Sequence, residues 1–361
     1  MDRLLKRCHI KSQLVRECLA EFLGVYVLIL FGCGSVAQVT TSENTKGEYL
    51  SINLGFALGT TFGIYVSKGV SGAHLNPAVS LSLCFLGRFS WARLPFYVLA
   101  QIFGAFLAAA TVALLYYDAI FHYSGGHLTV SGTTATAGIF STYPAEYLSL
   151  WGGVVDQVIG TAALLVCVLA LGDGRNTPAP PGLEPVLVGA VVMVIGISMG
   201  SNSGYAINPA RDLGPRIFSC IAGWGFEVFR AGGGWWWVPL VATCVGGLVG
   251  SLIYELMIGV HHHEPDISKA MDKWQESDMK VVQQDSEKVS GGGYVSRAVE
   301  GSRRHVGDEG AATGLEDFLE AAGIVTEALG ISGSGLSGES RSSMTCSGFR
   351  SSGGGLFPVP V

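Results

Sequence analysis

With 361 residues, 49% of them hydrophobic and only 14% charged, 51 glycines and a mean hydropathy of +0.42, the chain falls outside the composition of a soluble globular domain and reads as a polytopic membrane protein. The formal charge of −6 is carried by the end of the chain: residues before 261 hold 13 basic and 13 acidic side chains, whereas those from 261 onward hold 9 and 15. A balanced membrane body with no basic stripe argues against a nucleic-acid partner.

Six apolar stretches, at about 18–39, 50–67, 94–117, 152–172, 185–203 and 236–260, approach or exceed the roughly 20 residues that cross a bilayer as helix. Two further apolar stretches, at 77–87 and 209–220, are too short to span. Arg3, Lys6, Arg7, Lys11 and Arg16 precede the first span, Lys68, Arg88 and Arg93 flank the second and third, and Arg175 follows the fourth, while Asp118 to Leu150 contains no Lys or Arg. The positive-inside tendency therefore predicts cytoplasmic termini at both ends. The expected organisation is a cytoplasmic N-terminus at 1–17, a membrane domain at 18–260 and a cytoplasmic tail at 261–361. The membrane domain divides into repeats at 18–117 and 152–260. The tail is Gly-, Ser- and charge-rich and is expected to be disordered, apart from a helical apolar face within Glu316 to Ile331. No cleavable signal peptide is evident, so the first span is expected to remain as an anchor. The eight cysteines show no CxxC pairing and read as small buried hydrophobes; the outer loops offer no Asn-x-Ser/Thr acceptor. His261-His262-His263 is expected to be a solvated segment rather than a metal site.

Within this frame a few residues stand out in chain order. Glu21 interrupts the first span, where a lipid-facing acid costs about 2.5 kcal/mol or more. It must point inward and is expected to brace a loop by accepting backbone N–H groups; a proton relay would need aligned titratable partners, and none is evident. Gly55, Gly59 and Gly63 recur every fourth residue on the second span, a spacing that lets helices approach closely. Gly246 and Gly250 offer a second such seam. Then comes Gly72-Ala73-His74-Leu75-Asn76-Pro77-Ala78, and 132 residues later Gly204-Tyr205-Ala206-Ile207-Asn208-Pro209-Ala210-Arg211. Asn is a favoured N-cap and Pro suits the first helical turn, so each Asn-Pro-Ala predicts a helix start inside the membrane. Broken helices in corresponding halves mark a transport site. His74 is expected to brace its loop, with a pH-sensitive gate as the alternative. Gln157 holds in the second half roughly the place of Glu21 in the first. Three spans and one half-helix per half predict an inverted repeat whose half-helices enter from opposite sides and meet N-terminus to N-terminus.

The two Asn-Pro-Ala motifs, together with Asp212, Arg216 and Pro239-Leu240, make the chain resemble the aquaglyceroporin branch of the aquaporin family over residues 14–261. The resemblance implies an all-α membrane protein of six transmembrane helices and two re-entrant half-helices, assembled as a homotetramer with one pore per subunit. By position it assigns Phe56, Gly196, Tyr205 and Arg211 to the selectivity constriction. Phe56 and Tyr205 would form an apolar corner and Arg211 the polar side. Gly196 stands where water-selective members place a His, so its bareness is expected to widen the pore. Tyr205 stands where many water channels carry a mercury-sensitive Cys. The implied permeants are glycerol, water, urea and other small neutral solutes, with ions and protons excluded, no cofactor, no metal and no enzymatic activity; the implied place is the plasma membrane, with intracellular membranes as the alternative. A water-selective channel is the nearest rival. A coupled transporter would need an ion site, for which Glu21 is the only acid expected at depth, and an adhesive role would need a docking surface that the outer loop does not offer.

Overall fold

The computed structural model describes residues 9–262. The helical face expected within Glu316 to Ile331, and His263, lie outside the described residues. Those described form helices and loops with no strand. In chain order the helices are α1 (Gln13–Thr41), α2 (Tyr49–Ser71), α3 (Pro77–Phe85), α4 (Leu94–Leu115), α5 (Tyr117–Tyr123), α6 (Leu150–Gly172), α7 (Glu184–Met199), α8 (Pro209–Ser219), α9 (Glu227–Gly234) and α10 (Val238–Met257). α1, α2, α4, α6 and the helical run Glu227–His261 that contains α10 are long and apolar enough to cross a membrane. α7, equally apolar, has 16 residues and rises about 24 Å. The sequence predicts this span to run to 203. It stops at Met199: Gly200 still has helical φ and ψ, and residues 201–203 form a turn rather than a further helical turn.

Local sequence explains the starts of these helices. Pro95, Pro185 and Pro239 each sit at the second position of α4, α7 and α10, where the missing N–H costs nothing. α3 and α8 begin at Pro77 and Pro209 with Asn76 and Asn208 as N-caps. The Asn76 side-chain oxygen accepts from the Ala78 N–H at 2.9 Å, and that of Asn208 accepts from Ala210 at 3.0 Å and Arg211 at 3.3 Å.

The packing repeats between halves. α1 packs on α2 and α4 just as α6 packs on α7 and α10. The half-helices are exchanged, α3 resting on α10 and α8 on α4, so neither half is complete without the other. The glycine seams lie at these contacts: a β-carbon added to Gly59 would lie 2.8 Å from the Leu28 carbonyl oxygen, and one at Gly63 2.6 Å from that of Gly24. The corresponding seam on α10 presses on α6, with distances of 2.5 Å from Gly246 to the Val158 carbonyl oxygen and 2.3 Å from Gly250 to that of Ala162. Backbone cannot yield as a side chain can, and overpacking costs about 1–3 kcal/mol or more. Gly63→Val is therefore expected to lower the thermal unfolding temperature in detergent, whereas Gly69→Val, with nothing within 4 Å, leaves it unchanged.

Several acids and bases in the bundle are paired. Glu17 on α1 is buried and takes Arg93 at 2.9 Å. Lys68 pairs with Glu184, and Arg88 with Glu255 at 2.5 Å. Asp173 at the end of α6 receives the Tyr254 hydroxyl from α10 at 3.0 Å, lies 3.0 Å from His262 Nε2, and pairs with Arg175. Burial works against its charge, yet the hydrogen bonds from Arg175 and Tyr254 outweigh burial and hold its pKa down at about 2. Of the His261-His262-His263 segment, His262 is thus tied to this cluster, and no group of three metal-ligating side chains occurs among the described residues.

Candidate functional site

The two loops that precede α3 and α8 share an unusual backbone. Gly72, Ala73 and Leu75 have positive φ values of 84°, 56° and 52°, and Gly204, Tyr205 and Ile207 have 76°, 37° and 41°. Counted back from Asn76 and Asn208, these are the same three positions. Left-handed backbone at a non-glycine residue costs about 1–3 kcal/mol and persists only where the surroundings enforce it. Two braces do so. The Glu21 carboxylate accepts the His74 N–H at 2.9 Å and the Leu75 N–H at 2.8 Å, together with the Ser71 hydroxyl at 2.6 Å and the Gln101 amide at 2.8 Å. In the second half Gln157 Oε1 accepts the Ile207 N–H at 3.0 Å, and its amide nitrogen donates to Ser203 Oγ at 2.7 Å.

Asp156, next to Gln157, carries part of that second brace, accepting from Ser203 at 2.5 Å and Asn202 at 2.9 Å. The expectation that Glu21 is the only acid at depth therefore needs correction: Glu17 is buried in α1 and Asp156 half-buried in α6. Both carboxylates hold donors from neighbouring elements, which removes the cost of placing them in the bundle. The signal was present, since Asp156 interrupts an apolar run just as Glu21 does.

The loops are also tied to each other. Asn76 Nδ2 donates to the Ile207 carbonyl oxygen at 2.9 Å, and Asn208 Nδ2 to that of Leu75 at 2.8 Å. An amide nitrogen carries two hydrogens, so each Asn uses one to lock the opposite loop and keeps one. Asn76, Asn208, Leu75, Ala73, Ala206 and Ile207 line one cavity of about 290 Å³, which continues past His74 at one end and Phe56, Tyr205 and Arg211 at the other.

At that second end Phe56 and Tyr205 meet edge to face, 6.0 Å between ring centres, and the Arg211 guanidinium lies 4.7 Å over the Phe56 ring. Arg211 Nη1 donates to the Phe140 carbonyl oxygen at 2.9 Å. Gly196 faces this group but opens no empty space: a β-carbon there would lie 2.3 Å from Asn53 Oδ1 and 2.8 Å from Tyr205 Cζ. The volume is taken by those two side chains, a point that spacing alone could not reveal.

His74 Nδ1 lies 3.0 Å from Ser80 Oγ, and the ring packs against Phe89 and Tyr97 with centres 4.6 and 5.0 Å away. Asp212 and Arg216, four residues apart on α8, form a fully buried ion pair at 2.8 Å. Asp212 also receives the Thr142 N–H at 2.8 Å, and Arg216 reaches the carbonyl oxygens of Thr142 and Val228, each at 2.6 Å. The pair thus fastens the outer loop whose Phe140 carbonyl receives Arg211. Tyr143, on that loop, stacks under Arg216, and burial pushes its phenol up to about 12 although the nearby guanidinium opposes this. Pro239 is the second residue of α10 and its carbonyl accepts the Thr243 hydroxyl at 2.6 Å; Leu240 follows it, half-buried.

Residues 9–254 match the model of the major intrinsic protein family. The chain is 50% identical over 281 residues to aquaporin-9 of Homo sapiens, covering 77% of this chain and 95% of that protein, and 53% identical over 261 residues to aquaporin-10 of Homo sapiens, covering 72% and 87%. The crystal structure of the aquaglyceroporin from Plasmodium falciparum superposes with a TM-score of 0.62 at 35% identity, covering 68% of this chain and 98% of that one. Motif, fold and relatives agree, and the chain belongs to the major intrinsic protein family, with the aquaporin fold of six membrane-crossing helices and two half-helices.

Proposed function

We propose that this protein is a passive channel that conducts glycerol and water, and also urea, through the cavity between its two half-helices. The observation that supports the reading is the gathering of Phe56, Tyr205 and Arg211 at the cavity, the two rings edge to face and the Arg211 guanidinium 4.7 Å over Phe56, which gives one stretch of wall both apolar and charged groups. A permeant leaving water must recover its hydrogen bonds, and each one left unmet costs about 1–3 kcal/mol. Glycerol has hydroxyls along one edge and C–H groups along the other. Its hydroxyls would meet Arg211, the free amide hydrogens of Asn76 and Asn208 and backbone carbonyls of the two loops; its C–H edge would slide on Phe56 and Tyr205. A water-selective filter is disfavoured by the same residues, since position 196 has no His and its surroundings are an aromatic ring and a buried amide.

Ions would lose hydration without full compensation, and the Arg211 charge repels cations. The N-termini of α3 and α8 bring positive dipole ends together at the two Asn residues, a field unfavourable to hydronium. Glu21, Gln157 and His74 serve as braces in this reading, and Asp212, Arg216, Pro239 and Leu240 as scaffold. No step calls for catalysis, a cofactor or a metal. We further assign the protein to the plasma membrane with both termini cytoplasmic, as a homotetramer with one pore per subunit; the arginines and lysines before α1 support the orientation and the family resemblance supports the assembly.

Stopped-flow light scattering of proteoliposomes tests the reading, with a glycerol gradient and, separately, a sucrose gradient. Fast glycerol uptake and fast water efflux are expected of the wild type; fast water with no glycerol uptake would restore the water-only reading. Because Gly196→His must displace both Asn53 and Tyr205, the informative variant is Gly196→His with Asn53→Ala and Tyr205→Cys, which clears both side chains for the imidazole. A narrowing that removes one or two hydrogen-bonding contacts from glycerol alone corresponds to a fall of about tenfold or more in glycerol flux, with water flux retained.

A further inference from the structure

Behind the aromatic side of the constriction lies a polar pair that the channel reading leaves without a task. Asn53, in the middle of α2, is fully buried, and neither its amide oxygen nor its amide nitrogen has a hydrogen-bond partner. The Tyr205 hydroxyl is likewise buried and unpartnered. The two side chains converge on the same bare spot of α7. A β-carbon at Gly196 would lie 2.3 Å from Asn53 Oδ1 and 2.8 Å from Tyr205 Cζ, so these two atoms are within about 5 Å of each other. Tyr205 is the residue whose ring lines the cavity and meets Phe56, while Asn53 does not line the cavity at all.

A buried amide without partners costs about 1–3 kcal/mol for each unmet group, a cost that an apolar residue of the same size on α2 would avoid. Packing alone gives no reason for an amide here. Helix α2 carries Tyr49, Asn53 and Phe56 on one face, and all three border Tyr205 or the glycines of α7 on which it rests. Phe56 meets the ring edge to face, and the Gly200 backbone lies beside it, where a β-carbon would lie 2.7 Å from Tyr205 Cδ1. What remains to be fixed is rotation of the ring out of the constriction, and the hydroxyl is the handle for that.

We propose that Asn53 is a positioning residue for permeant selection: its buried amide hydrogen-bonds the Tyr205 hydroxyl across the bare face of Gly196 and so holds the ring that forms the apolar side of the filter. The amide is the group that must turn, since the phenol oxygen lies on its ring's rotation axis, and both amide atoms are free to serve. Gly196 then matters because it lets the two groups meet. The left-handed backbone of Tyr205, φ 37°, is sustained partly by this anchor at the far end of its side chain. The inference rests on the glycerol-channel reading, which the wild-type fluxes test independently.

The experiment is a double-mutant cycle in the full-length channel, reconstituted in proteoliposomes: Asn53→Leu, Tyr205→Phe and the double variant, each measured for glycerol, water and a four-carbon linear polyol. Each single variant is expected to shift the glycerol-to-water permeability ratio by threefold or more and to admit the larger polyol, and the double variant to go no further than either single one. A packing defect would lower all fluxes together or add across the two sites, and either pattern overturns the proposal. Should Asn53→Leu fail to assemble, Tyr205→Phe removes one oxygen only and still decides: a wild-type ratio in that variant rejects the anchor. Wild-type liposomes that pass no glycerol would instead overturn the channel reading.

Discussion

Arg216→Met is expected to unfold the outer half of the channel. The Arg216 side chain is fully buried and spends its donors on Asp212 Oδ1 at 2.8 Å, Asp212 Oδ2 at 3.1 Å, and the carbonyls of Thr142 and Val228. Methionine keeps much of the volume but leaves the Asp212 carboxylate buried with no counter-charge, and breaking a buried pair in this way costs about 3–5 kcal/mol. The damage would spread along a definite line. Asp212 and Arg216 clamp Thr142, and two residues earlier the Phe140 carbonyl orients the Arg211 guanidinium. Thermal unfolding in detergent should therefore show a marked drop for Arg216→Met. Arg216→Met with Asp212→Leu, which removes both charges, should recover most of the stability while glycerol flux stays impaired, because Arg211 still lacks a fixed loop. A single variant as stable as wild type would show that Asp212 finds other partners.

Glu21→Ala is expected to abolish the channel. Its carboxylate is the acceptor for the His74 and Leu75 N–H groups, and their loss leaves two buried donors at about 1–3 kcal/mol each, before Ser71 and Gln101 are counted. Without those bonds the left-handed Ala73 and Leu75 keep only the Ser71 hydroxyl on the Ala73 N–H at 3.0 Å and Asn208 on the Leu75 carbonyl across the pore. Both half-helices would lose register together. Gln157→Ala should be milder. It frees one backbone N–H, that of Ile207, and Asp156 continues to hold Ser203 and Asn202. Water permeability normalised to the amount of protein in the membrane checks the order: near zero for Glu21→Ala and measurable for Gln157→Ala. Equal losses would show that the two braces are equivalent despite their different chemistry.

The inverted arrangement of the two halves was legible in the residues. Asn-Pro-Ala twice, at matching places in two halves of three spans each, can be read without coordinates because capping and the missing proline N–H act within a few residues. Glycines at every fourth residue announced close helix contacts for the same reason, although which helix they met was not readable. The expected length of α7 was too long because it includes Gly200-Ser201-Asn202-Ser203, small and polar residues that form a turn after the helix.

By itself the sequence determined that the chain crosses a membrane, where its two half-helices begin, and that Glu21 must turn inward, since each of these follows from local hydropathy, capping or the cost of an acid in lipid. Only the tertiary structure decided that each Asn donates to the opposite loop, that Asp212 and Arg216 act on Arg211 through Thr142 and Phe140, and that the space beside Gly196 belongs to Asn53 and Tyr205. The physical reason is range: a cap is settled within one helical turn, whereas the partner of a buried amide 131 residues away is settled by how two halves of the chain interlock.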